Sequence, residues 1–518
     1  MDPGKPSPSR LQRWLIIAGL IVAAFVIVDE LVLDGRPEYY ENPAMHFKYG
    51  SIGSDNLRRG LPYRIWEILP EMFPDHLPTG KPHTYEAFGL TVDRKDSVGR
   101  PIGFSKRWRL GVGDFVGINC AFCHTSTIRT SSGSAPTIVL GMPANTVDAE
   151  AFFHFLFTVV DDDKFNAEAL LAHMKQKQWM GYWQTFIHRY LLIPAFKDGV
   201  KDMKHRFQFL HRRPTPFGPG RVDTWAFYKV AYLQDRNWLL EKIPEIGYPS
   251  LHSDPGSITG LSDFPSLWKE KPEKGAHHWD GNTRDILSRN ITAAMGAGVT
   301  PATADIKAIE RIATWLESEQ YPVPKYQELM RAMRPDYVHS QDLLTKGRRL
   351  FDSLCFQCHS EKGAQITQIV PVEEIGTDPA REKSFTEELA RKLNDVRHLS
   401  AWQLIGYGRT KGYANLLLTG IWLRAPYLHN GSVPTLWDLL QEPDKRTALF
   451  CRGNNLYDWT NVGFEWRIKA DARDMDERCS GYHLYDTKLP GNRNTGHTYG
   501  TTLSEQDKWA LIEYMKTL

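Results

Sequence analysis

Apolar residues recur at the three- and four-residue spacing of an amphipathic helix in several separate parts of the chain. The pattern predicts helices over residues 145–160, 168–192, 303–319 and 341–354. A last helix is predicted to begin after Ser504, a good N-cap residue, and to run to the C-terminus. Residues 35–110, apart from a short helix near 63–73, and residues 194–272 are rich in Pro and Gly and predict irregular loops. The pattern therefore predicts a mainly α fold with long irregular loops.

The N-terminus has a pattern of its own. Lys5, Arg10 and Arg13 precede an apolar run over residues 14–28, and residues 31–33 could extend it. Because no pair of small residues follows at cleavage spacing, we expect an uncleaved signal anchor over residues 1–34, with a cleaved signal peptide as the alternative. The basic end would face the cytoplasm. This predicts a single-pass protein of a bacterial inner membrane, with the rest of the chain in the periplasm.

One pentapeptide pattern, Cys-x-x-Cys-His, occurs twice. Its residues are Cys120, Cys123 and His124 in the first copy and Cys355, Cys358 and His359 in the second. This is the attachment motif of c-type haem: two thiols one turn apart reach the vinyl groups, and the following imidazole binds the iron. A zinc site would need further Cys or His ligands near each motif, and a thioredoxin-like pair does not need the histidine. The duplication predicts two covalently bound c-type haems.

The motifs also suggest a domain organisation. The Pro-bearing stretch over residues 321–335 is the best boundary. We therefore expect an irregular wrapping segment at 35–110, a first c-type haem domain at 111–335 and a second at 336–518. A helix that leads into the motif and a closing C-terminal helix make the second unit complete by itself.

Composition narrows the function only slightly. The net charge of +2 gives no electrostatic reason to expect nucleic acid as a partner. The two cysteines outside the motifs, Cys451 and Cys479, fit an oxidising compartment, either as a disulfide or as two unpaired buried thiols.

Longer strings resemble a known family. Residues 420–436, which read GIWLRAPYLHNGSVPTL, residues 489–501, LPGNRNTGHTYGT, and residues 278–282, HWDGN, resemble segments of the bacterial dihaem cytochrome c peroxidases. Within that superfamily they are most similar to the rubber-oxygenase-like branch. The resemblance covers most of the chain beyond residue 34.

The resemblance implies unequal roles for the two haems. It implies that His359 and His497 bind the second iron from opposite sides, which makes that centre an electron carrier. The alternative for His497 is a surface loop histidine, and His429 is a competing ligand for which we favour a hydrogen-bonding role. The haem on His124 would then react with dioxygen or peroxide. Trp279 matches an aromatic residue between the haems, with core packing as its alternative, so His124 and Trp279 are the predicted catalytic residues.

Two departures from the family pattern concern the first haem. Arg289 stands where the peroxidases have a Gln, and no Glu occurs between Glu273 and Glu310, where they have a distal Glu. The stretch over residues 294–298 also lacks the distal Phe of the rubber-oxygenase branch. The first departure weakens a peroxidase function, since peroxide cleavage needs a group that moves a proton; the second weakens an oxygenase function.

The sequence thus predicts a membrane-anchored, periplasmic dihaem oxidoreductase that uses a small oxidant and a redox partner protein. The alternative is an electron-transfer cytochrome in which both irons have two protein ligands. The related peroxidases also hold a calcium ion through backbone carbonyls near Ala425-Pro426-Tyr427; carbonyl ligands leave no side-chain pattern, so calcium stays open.

Overall fold

The computed structural model describes residues 9–28, 36–56, 60–230, 259–269, 275, 278–300, 303–318, 323–396, 406–467, 479 and 481–518. The helices that precede the second motif are α1 (Arg10–Val28), α2 (Pro43–Tyr49), α3 (Tyr63–Met72), α4 (Ala149–Val159), α5 (Ala167–Lys177), α6 (Tyr182–Ile187), α7 (Ile193–Arg206), α8 (Phe209–Arg212), α9 (Thr224–Lys229), α10 (Ile286–Gly296), α11 (Ile306–Glu317), α12 (Tyr326–Met333) and α13 (Gln341–Leu354). Those that follow are α14 (Phe356–His359), α15 (Val372–Ile375), α16 (Ala380–Ser384), α17 (Glu387–Val396), α18 (Leu436–Leu439) and α19 (Glu505–Met515).

The strands are short and form several small antiparallel sheets. They are β1 (Arg36–Pro37), β2 (Leu61–Pro62), β3 (Phe104–Arg109), β4 (Gly113–Ile118), β5 (Thr125–Ile128), β6 (Thr137–Leu140), β7 (Arg221–Val222), β8 (Ser262–Asp263), β9 (Ile369–Pro371), β10 (Gly412–Ala414), β11 (Leu449–Arg452), β12 (Tyr457–Asp458), β13 (Gly463–Phe464) and β14 (His483–Asp486). The largest sheet has the order β1-β3-β4-β2, and the others are pairs.

The prediction of a mainly α fold is wrong, because the structure is 43% helix and 12% strand. The hairpin β3–β4, which pairs Phe104 with Ile118, shows why the pattern misleads. Arg107 and Arg109 occupy buried positions on β3, so the strand lacks the apolar alternation that marks a half-buried strand. Arg107 is tolerated there because its Nε donates to Oδ1 of Asp55, itself buried, at 3.0 Å.

The prediction of an N-terminal membrane anchor is also wrong. Among the residues that the structure describes, no helix is both long and apolar enough to cross a membrane. The apolar run lies in α1, whose first turn contains Arg10 and Arg13. The run over residues 14–28 is about 22 Å long at ~1.5 Å per residue, less than the ~30 Å of a bilayer core. Residues 31–33, which could have extended it, lie outside the described residues.

The strongly periodic helices were predicted well. Helix α13 has the predicted bounds, and α19 begins after Ser504, whose side chain accepts a hydrogen bond from the backbone N–H of Asp507. The predicted helix over 168–192 is instead broken before Gly181, and α6 continues through a π-helical turn over His188–Leu192 into α7. Helix α7 lies in a stretch predicted to be a loop. The wider π turn accommodates Pro194, which lacks the N–H of a regular helix.

Among the residues that the structure describes, three hydrophobic cores are formed, and they position the two motifs. The largest lies around α3, α4 and α7. The second core packs α10 and α11 against α17. The third packs β5 and β6, which follow the first motif, against α12, α13 and α19. The second and third cores each take residues from both sides of residue 335, so the surroundings of the two Cys-x-x-Cys-His motifs are built from both parts of the described chain.

Candidate haem sites

The second motif follows directly from α13. The backbone N–H of Cys355 donates to Phe351 at 2.8 Å, and α14 then carries Cys358 and His359. The Nδ1–H of His359 donates to the backbone carbonyl of Leu416 at 2.7 Å. That hydrogen bond fixes the neutral tautomer whose lone pair lies on Nε2, the form that binds a metal. Burial, the largest cause, holds the pKa of His359 below its usual value, which also favours the neutral ring.

His497 lies opposite His359. The centroids of the two rings are 6.3 Å apart and the rings are inclined at 46°. Burial, with smaller contributions from His359 and Arg446, lowers the pKa of His497 to about 3, so both facing imidazoles are neutral near pH 7. Metal–imidazole bonds are roughly 2 Å long, so two imidazoles on opposite sides of one ion have ring centroids roughly 6 Å apart. The observed separation therefore fits a bis-histidine metal centre.

The loop that carries His497 is held in place by its backbone. The N–H of His497 donates to the carbonyl of Ile375 at 2.9 Å. The guanidinium of Arg446 donates to the carbonyls of Asn494, Gly496 and His497 at 2.6, 2.8 and 3.2 Å. Gly496 packs so closely on the backbone of Gly376 that a Cβ there would lie 2.3 Å from it. His497 is thus fixed by contacts that its own side chain does not make.

A cavity of about 300 Å³ lies between these two histidines. Its lining is mostly apolar and includes Cys355 and Cys358, so thiols, facing imidazoles and an apolar pocket occur together, as haem attachment requires. His429 also lines it, but its ring stacks on Tyr413 at 4.5 Å and its Nε2 lies 3.2 Å from the Tyr413 hydroxyl. That contact fits the hydrogen-bonding role favoured for His429.

The first motif is held differently, in a 3₁₀ turn after β4. The side chain of Asn119 accepts from the N–H of Ala121 at 3.0 Å and donates to the carbonyl of Gly50 at 3.0 Å. The Nδ1–H of His124 donates to the carbonyl of Pro265 at 2.7 Å, which again leaves Nε2 with its lone pair. Burial, followed by the charge of Arg289, lowers the pKa of His124 to about 3.

Another cavity, of about 230 Å³, adjoins Cys120, Cys123 and His124. We number the cavities by their motifs, so this one is the first cavity, and the one between His359 and His497 is the second cavity. Small residues at the C-terminal end of α10 form part of the wall of the first cavity, namely Ala293, Ala294 and Gly296, with Ala297 directly after the helix, and Arg289 adds a charge. Within the described part of the chain, no imidazole faces that of His124 as His497 faces His359. The other histidine on this wall is His278.

The wall shared by both cavities contains His278. Its Nδ1 lies 3.2 Å from Oδ2 of Asp280, and its ring centroid lies 4.0 Å from that of Trp279. Asp280 accepts from Nε and Nη2 of Arg381 at 3.2 and 2.9 Å, and Arg381 stacks over Trp225 at 4.2 Å. Burial alone would raise the pKa of Asp280, but Arg381 and His278 hold it well below its usual value. Trp279 lines the second cavity, so this buried network joins the two sites.

Several of these contacts could not have been found in the sequence. The backbone carbonyls of Pro265 and Leu416 accept hydrogen bonds whatever their side chains are, so the residue type gives no indication of this role. Arg446 and Arg381 belong to no recognisable motif. Glu317, at the end of α11, lines the first cavity, although the sequence has no Glu where the peroxidases that it resembles have their distal one. Its place in the chain gave no indication of this, because helix packing brings it there.

The structure bears on two alternatives from the sequence, a zinc site at the motifs and a disulfide between the two remaining cysteines. Among the described residues, no three His, Cys, Asp or Glu side chains form a group that could hold a metal ion, so the structure offers no support for zinc at the motifs. Cys451 and Cys479 form a disulfide, with Cα atoms 5.3 Å apart. The disulfide interpretation of this pair is confirmed.

Comparison with known proteins adds a partial match. A family model described as RoxA-like, cytochrome c-like matches residues 412–451. The uncharacterised protein y4iM of Sinorhizobium fredii is 27% identical over 308 residues, which cover 52% of this chain and 67% of y4iM. The uncharacterised protein y4iJ of the same organism is 29% identical over 194 residues, 29% of this chain and 31% of y4iJ.

The matched segment forms part of the second cavity. Leu416, which accepts the hydrogen bond of His359, lies in it, as do Tyr413 and His429. Residues 412–451 therefore relate this chain to the RoxA-like cytochromes, and they indicate a c-type cytochrome that binds haem.

Proposed function

We propose that this chain is a dihaem c-type cytochrome oxidoreductase with two unequal centres. The residues that would hold the haems are Cys120, Cys123 and His124 at the first cavity and Cys355, Cys358, His359 and His497 at the second. A haem iron supplies one-electron transfer and, where one axial position stays open, the binding of dioxygen or peroxide. The first centre would react with such a small oxidant, and the second would carry electrons from a redox partner protein.

One observation carries this proposal. The imidazoles of His359 and His497 face each other at 6.3 Å, whereas His124 has no such counterpart among the described residues. His359 and His497 together would hold a haem that supplies electron transfer, whereas His124 alone would hold one that can also bind a small ligand from solution. The contrast supports electron transfer at the second cavity and chemistry at the first.

The side chains of the first cavity have separate tasks in this proposal. The small residues of α10 leave room for a ligand, and the cation of Arg289 favours an oxygen that gains negative charge. Glu317 would supply the carboxylate that moves a proton between the oxygens of peroxide, a task that the peroxidases give to a residue elsewhere in their sequence. Peroxide reduction is therefore the reaction we favour.

The shared wall would connect the two centres. Trp279 and His278 lie in ring contact, and His278 lines both cavities. Asp280 and Arg381 fix the position of His278 through buried hydrogen bonds. The disulfide between Cys451 and Cys479 further supports function in an oxidising compartment.

The second candidate function is an electron carrier with no open iron. It is favoured by His278, because this histidine lines the first cavity and would saturate the iron there if its Nε2 reached it.

Electron paramagnetic resonance with optical spectra of the haem-loaded protein separates the two functions. We expect one low-spin and one high-spin ferric centre, with cyanide and peroxide altering the high-spin signal alone. The His278→Ala variant should keep both spin states. Two low-spin centres that ignore both ligands, and a new high-spin signal in His278→Ala, would establish the carrier instead.

A further inference from the structure

A ridge of six exposed apolar side chains, five of them aromatic, lies on α6 and the segments next to it. We call these six residues the aromatic ridge. Their side chains are exposed to 82, 98, 55, 49, 61 and 54%, in the order Trp179, Tyr182, Trp183, Phe186, Tyr190 and Leu191. Large apolar side chains scattered singly over a surface are ordinary, but a contiguous group of this size marks an interaction site.

The ridge is built on a well-anchored helix. Ile187 and Leu192, on the other side of the helical segment, are buried in the largest core. Trp183 donates from Nε1 to the carbonyl of Gly111 at 2.8 Å, and its ring stacks on Phe186 at 5.9 Å with 18° between the planes. Phe186 in turn contacts Tyr190 at 5.1 Å. The rings of Trp183, Phe186 and Tyr190 therefore form a continuous row, and the hydrogen bond of Trp183 fixes one end of it.

The ridge belongs to a basic stretch of the chain, in which Lys177, Lys204 and Arg206 form ion pairs with Glu71, Asp161 and Asp202. Lys and Arg outnumber Asp and Glu seven to two between Lys175 and Arg206, although the whole chain has a net charge of only +2. The basic residues are Lys175, Lys177, Arg189, Lys197, Lys201, Lys204 and Arg206, and the acidic ones are Asp198 and Asp202. Arg189 is exposed and lies within the ridge, between Phe186 and Tyr190.

The combination fits one kind of partner. Trp and Tyr are the side chains that settle at the boundary between lipid headgroups and acyl chains, because one end is apolar and the other is polar. Lys and Arg beside them are attracted to anionic headgroups. A second copy of this chain fits less well, since it would bring Arg189 and the basic residues of this stretch against the same charges. We propose that the aromatic ridge docks the protein on the surface of a bilayer that contains anionic lipid.

This contact is peripheral and does not depend on the haem chemistry proposed above. The ridge lies on α6, the residues just before it and the π-helical turn after it, and none of these segments lines either cavity among the described residues. Loss of docking would therefore leave the spectra of both centres unchanged, and an error in the proposed reaction would leave docking unchanged.

Flotation of the haem-loaded full chain with vesicles tests the proposal. The two vesicle preparations are phosphatidylcholine alone and phosphatidylcholine with phosphatidylglycerol. We expect binding to the anionic vesicles, lowered by salt, and weak binding to the neutral ones. Exchanging Tyr182 and Trp183 for Ser should weaken binding about a hundredfold, since each buried large side chain contributes about tenfold or more. Arg189→Gln should weaken only the binding to anionic vesicles.

Two controls make the test decisive. Val338→Ser and Leu343→Ser remove exposed apolar side chains elsewhere and should leave vesicle binding unchanged. Unaltered optical spectra would show that the ridge variants are folded. If the Tyr182/Trp183 variant binds vesicles as well as the original chain does, the ridge is not a lipid site. A sedimenting mass that falls in this variant, without any vesicle binding of the original chain, would assign the ridge to self-association instead.

Discussion

The two cavities of this chain each contain one copy of the same five-residue motif, but the residues that line the rest of each cavity differ. In both, the motif histidine donates from Nδ1 to a backbone carbonyl at 2.7 Å, to Pro265 in the first cavity and to Leu416 in the second. The opposite walls differ. His497 faces the motif histidine in the second cavity, whereas small side chains of α10, Arg289 and Glu317 line the first.

This difference indicates that the residues opposite each motif, rather than the motif itself, would determine what each centre can do. The motif and its proximal hydrogen bond fix how a haem would be held, and they are the same twice. What the centre can do depends on residues far away in the chain, because they supply or omit the second imidazole. Experiments that change one wall at a time can therefore test the comparison.

The largest effect is expected from the cysteines. Exchanging Cys120 and Cys123 for Ser, or Cys355 and Cys358, removes the thiols of one motif and should lower the covalently bound haem from two per chain to one. Pyridine haemochrome spectra of the denatured protein measure it. Each pair should remove a different centre, the high-spin one for the first motif and the low-spin one for the second. Unchanged haem content in either double variant would show that its motif holds none.

The next effect concerns His497. The His497→Ala variant removes one of the two facing imidazoles, so the second centre should become high-spin and bind cyanide like the first. His429→Ala is the matched control, because His429 lines the same cavity but contacts Tyr413. It should leave the spin state unaltered. A low-spin second centre that survives His497→Ala but not His429→Ala would exchange the roles of these two histidines.

A smaller effect is expected at the wall that the cavities share. Arg381→Leu leaves the buried carboxylate of Asp280 without its cation and should lower the free energy of unfolding by ~3–5 kcal/mol. Lys445→Leu, which breaks the exposed pair with Glu442, should leave the free energy of unfolding nearly unchanged, because solvent screens that pair. Urea denaturation followed by circular dichroism gives both values. Equal effects of the two variants would mean that the Asp280–Arg381 pair does not hold the wall together.

The smallest effect distinguishes the chemistry of the first cavity. Glu317→Gln should slow peroxide turnover by about a hundredfold, the lower range for a lost proton-transfer group, and leave cyanide binding unchanged. Glu310→Gln, at an exposed position on the same helix, is the control and should have no effect. Stopped-flow measurement with peroxide gives the rate. Full activity of Glu317→Gln would leave this carboxylate without a catalytic task.

The sequence predicted the parts of this structure that rest on periodicity or on a motif. Helix α13 and the start of α19 are examples, because their apolar faces and N-caps are local features. Strand β3 was missed because buried arginines replace apolar residues in it. The membrane anchor was wrong because the apolar run of α1 is too short without residues outside the described part of the chain.

For the candidate site, the sequence pointed to the motif residues and the histidines, but not to the residues that packing brings beside them. The roles of His359 and His497 were inferred from resemblance and stay predictions, although the structure brings their rings together. The buried network of His278, Asp280 and Arg381 could not be predicted, since Arg381 lies on α16, about a hundred residues further along the chain. The same holds for Glu317, because only the packing of α11 against α10 brings it to the cavity.

The loop that carries His497 also sets an order of assembly during synthesis. The lining of the first cavity comes largely from residues that leave the ribosome early, whereas the second cavity has only one of its facing imidazoles until the segment before α19 has emerged. Arg446 can hold that loop only once its carbonyls have arrived. A nascent chain therefore passes through a stage in which neither site has two facing imidazoles, and the second site gains its pair only when the last segment folds into place.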